Sequence, residues 1–215
     1  IYDILAGALV GTFIAFSWNF VFSKIEKRNG KEHFYFRKLI HLSSISTIFL
    51  TFFINKLYVF ALTFSLTFLF FISEIFRIKR IYFPIIQEIT LYCKKKEEKG
   101  FLIEPFLFGL SLSFLTLLPE KIFLAGSIPL IIGDAFAGLI GYTFGKHKIF
   151  YNREKSLEGS LAFFISSFLS FLIFFDFKTS LLLSIFSTFI ESLLKRFENL
   201  ILPFSSSFLY VLLTF

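Results

Sequence analysis

The chain has 215 residues, of which 56% are hydrophobic and only 17% are charged. A soluble domain carries about 25% charged residues, so the excess apolar surface needs a non-aqueous partner, and lipid is the expected one. A net charge of +7 suggests nucleic-acid binding in a soluble protein, but in membrane proteins Lys and Arg collect in cytoplasmic loops beside anionic headgroups. We therefore expect no nucleic-acid partner. The single cysteine, Cys93, excludes an internal disulfide framework and a multi-Cys zinc site.

Seven apolar stretches approach the length of about 20 residues that a bilayer-spanning helix needs. They lie at 3–23, 37–54, 56–76, 104–119, 121–144, 160–176 and 178–194. A further stretch, 200–215, follows a break expected at Pro203 and suits a short eighth span, a re-entrant piece or a surface helix. The first stretch lacks a signal-peptide cleavage site. The sequence thus predicts an all-α, polytopic transmembrane bundle of six to eight spans, about seven, in a single integral-membrane domain over 1–215.

The basic residues indicate the orientation of these spans. The seven successive connections carry 6, 1, 7, 1, 4, 1 and 2 of the 22 Lys and Arg residues. Because Lys and Arg accumulate on the cytoplasmic side, the rich connections are expected to be cytoplasmic and the N-terminus outside. Segment 80–103 mixes apolar and polar residues and is predicted to be an interfacial amphipathic helix followed by a charged turn at 94–99.

Charged residues inside spans need a functional or structural reason, because each costs about 2.5–3.5 kcal/mol on insertion scales. The candidates are Glu74, Asp134 and Glu191, together with Arg37, Lys38 and His41 at the start of the second span. All are expected towards the cytoplasmic ends of the spans, which is the pattern of an active site open to a water-soluble cytoplasmic substrate.

Two of these residues, Glu74 and His41, have a basic residue within one helical turn. Glu74 and Arg77 are spaced i, i+3, so a structural ion pair is the more expected role for them. His41 follows Arg37 at i, i+4, and a structural role and a functional one are equally expected for it.

Asp134 lies in a span with a stripe of small residues, Gly138, Gly141 and Gly145. Such stripes let helix backbones approach closely. One interpretation is helix packing around a buried carboxylate held by a partner. The other, which we favour at this point, is that the glycines clear space beside Asp134 for a bound group.

The segment 155–160, with sequence KSLEGS, stands just before a span. A helix N-terminus preceded by Lys155 suits a phosphate, although Walker spacing is lacking. Equally, Ser156 suits an N-cap with Glu158 in the first turn. Further on, Glu191, Lys195 and Glu198 are expected on one helical face, at i, i+4 and i+7.

Together these segments resemble the dolichol kinase and phytol kinase family of membrane lipid-alcohol kinases. The matching pieces span residues 37–203, in the family's order: RKLIH at 37–41, Glu74 with Arg77, IIGDAFAGLIGYTFGK ending at 146, KSLEGSLAFF from 155 and ESLLKRFENLILP from 191. The sequence departs from the family pattern at two positions. Ser156 stands where the family often has Thr, and Glu198 stands before Asn199 where the family often has Asp. The second departure puts the role of position 198 in question.

The resemblance implies transfer of the γ-phosphate of CTP, or of another nucleoside triphosphate, to the hydroxyl of an isoprenoid alcohol such as phytol, geranylgeraniol or a polyprenol. Mg²⁺ or another divalent cation is the implied cofactor, with Asp134 and Glu158 as its carboxylates. The implied catalytic residues are Asp134, Lys155, Glu158 and Glu191. The implied nucleotide- or phosphate-binding residues are Arg37, Lys38, His41, Gly133, Lys146, Gly159, Ser160 and Asn199.

Other functions stay open. A CTP-dependent diacylglycerol kinase fits the same residues. A phosphatidate cytidylyltransferase is suggested by SLLKR at 192–196, but the rest of that family's C-terminal signature is missing. A membrane transporter is less expected, because the sequence shows no internal repeat and its charges are biased to one side.

Overall fold

The computed structural model describes residues 2–24, 38–83, 86–89 and 100–214. These residues are mostly helical, and a short helical segment at 38–43 precedes α2. The helices are α1 (Tyr2–Lys24), α2 (Ile45–Phe53), α3 (Lys56–Ile78), α4 (Ile103–Leu115), α5 (Glu120–Ile128), α6 (Asp134–Phe144), α7 (Leu157–Leu172), α8 (Phe177–Leu193) and α9 (Glu198–Thr214). The predicted all-α class is therefore confirmed, with the addition of a two-stranded hairpin, β1 (Lys148–Ile149) and β2 (Asn152–Ser156).

Each stretch expected to span a membrane coincides closely with helical residues. Two helical stretches among the described residues are long and apolar enough to cross a bilayer by length and composition. They are α3 (Lys56–Ile78) and the continuous stretch Glu120–Phe144, which contains α5 and α6. Other helices are apolar but shorter, among them Ile103–Leu115 and Leu157–Leu172. Of the segment 80–103, where an interfacial helix is expected, residues 84–85 and 90–99 lie outside the described residues, and the described part contains one helical turn at 87–89.

The chain divides into two compact units, and the division falls within α2. Unit 1 comprises the described residues of Ile1–Arg37 and Leu50–Leu117. In this unit α1 packs closely on α3, because a Cβ at Gly7 would overlap the Tyr58 carbonyl oxygen and one at Gly11 would overlap Ser65 Oγ. The missing side chains thus let the two backbones approach.

Unit 1 also contains the pair expected from i, i+3 spacing. Arg77 donates to both carboxylate oxygens of Glu74, at 2.6 and 2.8 Å. The Leu102 N–H donates to Glu74 Oε2 at 2.8 Å, and Arg77 also donates to the Gly100 carbonyl at 2.6 Å. Glu74 is fully buried, so this ion pair ties the C-terminal end of α3 to the start of α4, and the structural interpretation is confirmed.

Unit 2 comprises Lys38–Phe49 and Leu118–Phe215. Its core includes Ala137, Phe163 and Leu202, from α6, α7 and α9. Hydrogen bonds from serine hydroxyls join its helices. The Oγ atoms of Ser187 and Ser206 lie 2.7 Å apart, and Ser207 Oγ donates to the Ile122 carbonyl at 2.9 Å. The site residues that the structure describes all belong to this unit.

Two expectations about the C-terminal region are wrong. The chain does not break at Pro203, which lies within α9. The break comes earlier: α8 ends at Leu193 and Phe197 adopts a φ of 58°. A bulky residue pays about 1–2 kcal/mol for this left-handed conformation. Glu191, Lys195 and Glu198 therefore do not share one continuous helical face.

Candidate active site

Asp134 stands where an apolar helix changes its hydrogen-bonding pattern. Between α5 and α6 the residues Pro129–Gly133 form a π-helical turn, and the Asp134 N–H bonds to the Pro129 carbonyl. Proline lacks the N–H that would continue the α-helical pattern, and short π-helical turns within α-helices are frequent at functional sites. Asp134 is only 6% exposed, so its carboxylate needs partners inside the protein.

Lys38 and His41 supply those partners. Lys38 Nζ donates to Asp134 Oδ2 at 2.7 Å and to the Asp134 carbonyl at 3.1 Å. His41 Nδ1 lies 3.2 Å from the same Oδ2. Both side chains are buried. They are three residues apart in the helical segment 38–43, so they lie on one face and converge on one carboxylate oxygen.

The glycine stripe after Asp134 is occupied by the protein itself. A Cβ at Gly138 would overlap the Lys38 side chain, and one at Gly145 would lie 2.9 Å from Ser156 Cβ. Gly141 and Gly159 face each other across α6 and α7, where a Cβ at Gly141 would lie 3.5 Å from the Gly159 Cα. The helix-packing interpretation is therefore confirmed, and the space beside Asp134 holds Lys38.

The hairpin leads into α7 as the capping pattern predicted. Ser156 is the N-cap and accepts a hydrogen bond from the Gly159 N–H at 3.2 Å. Glu158, in the first turn, accepts from the N–H groups of Lys146 and His147 at 3.1–3.2 Å, and the His147 ring lies 2.7 Å away. The Glu158 backbone N–H and these contacts lower the pKa of its carboxyl to about 2.

Lys155 joins the hairpin to the ends of two helices. Its Nζ lies 2.6 Å from Glu191 Oε1, at the end of α8, and 2.6 Å from Glu198 Oε2, at the start of α9. Ser160 Oγ donates to the second Glu191 oxygen at 3.2 Å. Burial by itself lowers the pKa of the Lys155 ammonium, but Glu198 and Glu191 outweigh it, with a smaller contribution from Asp134, and the pKa is raised.

The break at Phe197 makes this arrangement possible. Without this break Glu191 and Glu198 would lie on one continuous helix. With it the chain turns, and both carboxylates meet the same ammonium from different helices. The sequence spacing placed Glu198 on one helical face with Glu191 and Lys195, and the residue departs from the family pattern, whereas in the structure Glu198 directly contacts Lys155.

Two further residues, to which no motif in the sequence points, attach the hairpin to α8. Asn152 is fully buried, and its Nδ2 donates to the carbonyls of Ser192 and Leu194 at 3.0 and 3.1 Å. The Tyr151 hydroxyl lies 2.9 Å from Ser192 Oγ. The one available signal in the sequence was that Asn152 is a polar residue three positions before Lys155. Nothing in the local sequence shows that its side chain donates hydrogen bonds to carbonyls at the end of a distant helix.

The other predicted site residues are placed as follows. Gly133 packs against Ser167 and Phe163 of α7. Lys146 is exposed, and Asn199 is buried in the first turn of α9. Arg37 lies outside the described residues. Asp134 and Glu158, the two expected metal carboxylates, have different partners, and the described residues contain no group of three or more His, Cys, Asp or Glu that could hold a metal ion.

Comparison with known proteins identifies a relative. No protein-family model matches the chain, and no solved structure matches it significantly. An uncharacterized protein of Methanocaldococcus jannaschii, MJ1137, is 34% identical over 137 residues, which cover 62% of this chain and 70% of that protein. Identity at this level over most of the relative indicates common descent. The chain therefore belongs to the same family as this Methanocaldococcus jannaschii protein.

Proposed function

We propose that this chain is a membrane-embedded lipid-alcohol kinase that transfers the γ-phosphate of CTP, or of another nucleoside triphosphate, to the hydroxyl of an isoprenoid alcohol. One observation carries the proposal. The charged residues of the kinase-like motifs, which are far apart in the sequence, form two ion-pair groups within one unit. In the buried group Lys38 and His41 meet Asp134, and in the partly buried group Lys155 meets Glu191 and Glu198. Asp134 also contributes to the electrostatic environment of Lys155.

The outward surface supports a multi-pass membrane location. Large apolar side chains are exposed along the helices of unit 2, for example Ile165 on α7, Phe189 on α8 and Phe208 on α9, which are 46–62% exposed. Apolar surface of this extent marks a membrane or protein interface. We propose about seven spans, with the basic connections and the ion-pair groups on the cytoplasmic side.

The charges suit a nucleotide that arrives with its metal. Phosphoryl transfer depends mainly on positioning and on neutralising charge. Lys38 and Lys155 are the cations proposed to contact phosphates, and each is held by carboxylates that the nucleotide would compete with. Mg²⁺ is usually bound by one or two carboxylates plus substrate phosphates, so a cage of three protein ligands is not required.

We propose a different pair of metal-binding carboxylates from Asp134 and Glu158, the pair that the family resemblance implies. Glu158 is held by the exposed His147 and by loop amides, whereas Asp134 and Glu191 pair with Lys38 and Lys155, the two cations proposed to contact phosphates. We therefore assign the metal-binding carboxylates to Asp134 and Glu191, where a bound Mg²⁺ would neutralise phosphate charge.

A labelling experiment tests the function. Membranes containing the full chain are incubated with γ-labelled or α-labelled CTP and a panel of lipid alcohols, and the lipid fraction is counted. We expect label only from the γ-phosphate, and a loss of at least about a hundredfold in Asp134→Asn and Lys155→Ala, in line with the loss of one charge-stabilising group.

Matched controls are Glu120→Gln and Lys178→Ala, which change exposed charges outside the ion-pair groups. Transfer of the α-label with release of pyrophosphate would instead identify a cytidylyltransferase. No transfer of either label to any lipid, or full activity in both site variants, would sink the kinase proposal.

A further inference from the structure

An apolar groove runs along the surface of unit 2 between α6 and α7. One wall carries Ile132, Phe136 and Ile140, and the other carries Leu161, Ile165 and Leu169, each set spaced at four residues. The groove is open to the surface and has a volume of about 650 Å³. From Ile132 to the last lining residue of α6, Phe144, the helix rises about 18 Å at 1.5 Å per residue, which is more than half of a hydrocarbon core of about 30 Å.

The groove walls offer almost nothing polar to an occupant. The lining hydroxyls of Ser166 and Ser170 donate to carbonyls of their own helix, at 3.2 and 2.8 Å. Their hydrogens are therefore not directed at a ligand. An occupant of this part of the groove has to be an apolar chain.

One end of the groove is different, because Glu158 lines it in the first turn of α7. It is the one charged residue among those that line the groove. The His147 ring and two backbone N–H groups fix its orientation. Since the pKa of this carboxyl is lowered to about 2, it is ionised at neutral pH and can only accept hydrogen bonds.

A carboxylate at the end of an apolar groove selects the head of the lipid that enters. A hydroxyl can donate a hydrogen bond to it, whereas a phosphate or a carboxylate head is repelled. The charge complementarity therefore favours a neutral alcohol over the anionic phospholipids and fatty acids of the surrounding membrane.

We infer that the groove between α6 and α7 binds one apolar chain ending in a hydroxyl, with Glu158 accepting the hydrogen bond of that hydroxyl. The inference deepens the proposed function and rests on it for the identity of the alcohol as substrate. Glu158 would then also assist product release, because its carboxylate repels the head of the lipid once that head is phosphorylated.

Photolabelling of the purified full chain, in lipid nanodiscs and without nucleotide, tests this inference. The probe is geranylgeraniol with a photoreactive diazirine in its chain, and labelled peptides are identified by mass spectrometry. We expect labelling within 132–144 and 161–170, competed by geranylgeraniol and not by geranylgeranyl phosphate.

Two variants sharpen the test, each with a matched control. Ile165→Trp fills the groove and is expected to reduce labelling about tenfold, whereas Ile185→Trp, at a similarly exposed position on α8, leaves it unchanged. Glu158→Gln removes the charge and is expected to let geranylgeranyl phosphate compete, while Glu154→Gln, on the hairpin and outside the groove, does not.

Labelling spread evenly over all lipid-facing helices, or equal competition by alcohol and phosphate in the unchanged protein, would overturn the inference. The two proposals fail separately. Transfer of phosphate without groove labelling removes the groove and leaves the kinase. Groove labelling without transfer of phosphate leaves an alcohol-binding site and removes the kinase.

Discussion

Lys38 donates a 2.7 Å hydrogen bond to the Asp134 carboxylate from 96 positions earlier in the chain. Both side chains are buried. The pair fixes the segment that precedes α2 to the start of α6, and it places an ammonium beside the carboxylate that the proposed function uses most.

Neutralising one member of this pair is expected to destabilise the protein. Lys38→Met leaves Asp134 as a buried charge with only His41 as a described side-chain partner, and breaking a buried pair in this way costs about 3–5 kcal/mol. The double variant Lys38→Met, Asp134→Asn should recover a large part of that loss, because no uncompensated charge remains. Thermal unfolding of the purified variants measures this, and equal destabilisation by the single and double changes would contradict it.

Gly138→Ala tests the space that Lys38 occupies. The added methyl would overlap the Lys38 side chain, and overpacking of this kind costs about 1–3 kcal/mol. In a Lys38→Ala background the space is vacated, so the same change should cost much less, which a double-mutant cycle detects as non-additivity. Gly100→Ala is the control, since nothing lies within 4 Å of a Cβ there. Equal costs in the two backgrounds would show that Lys38 does not fill this space.

The Glu158 carboxylate gives a prediction about acid stability. Its pKa is lowered from 4.5 to about 2 in the folded protein, so its stabilising effect is present above the unfolded value and is lost as pH falls through the folded one. The difference in melting temperature between the unchanged protein and Glu158→Gln should therefore stay constant near pH 5 and shrink between about pH 4 and pH 2. Glu154→Gln, an exposed carboxylate on the same hairpin, is the control. A difference that persists undiminished to pH 2 would contradict the shift.

The proposed topology predicts the accessibility of single cysteines. In a Cys93→Ser background, Lys148→Cys should react with an impermeant thiol reagent only from the cytoplasmic side and Lys178→Cys only from the outside. Both positions are exposed, so reactivity reports the side of the membrane. Reaction of both from the same side would refute the proposed alternation of the spans.

Local features of this protein follow directly from the order of its residues. The apolar runs coincide with helices because helix formation depends on neighbours a few positions apart. For the same reason the Ser156 cap and the Glu74–Arg77 pair were foreseen. In each case the two partners lie within one helical turn, so their spacing in the sequence is their spacing in space.

The sequence by itself thus determined the helices, their caps and the set of charged residues that need an explanation. Only the tertiary structure decided which charges meet. Lys155 lies between Glu191 and Glu198 because the chain turns at Phe197, and Lys38 fills the space over Gly138. Lys155 and Glu191 are 36 positions apart, and Lys38 and Asp134 are 96 apart. The choice among such distant charges depends on how the helices pack, which no local pattern records.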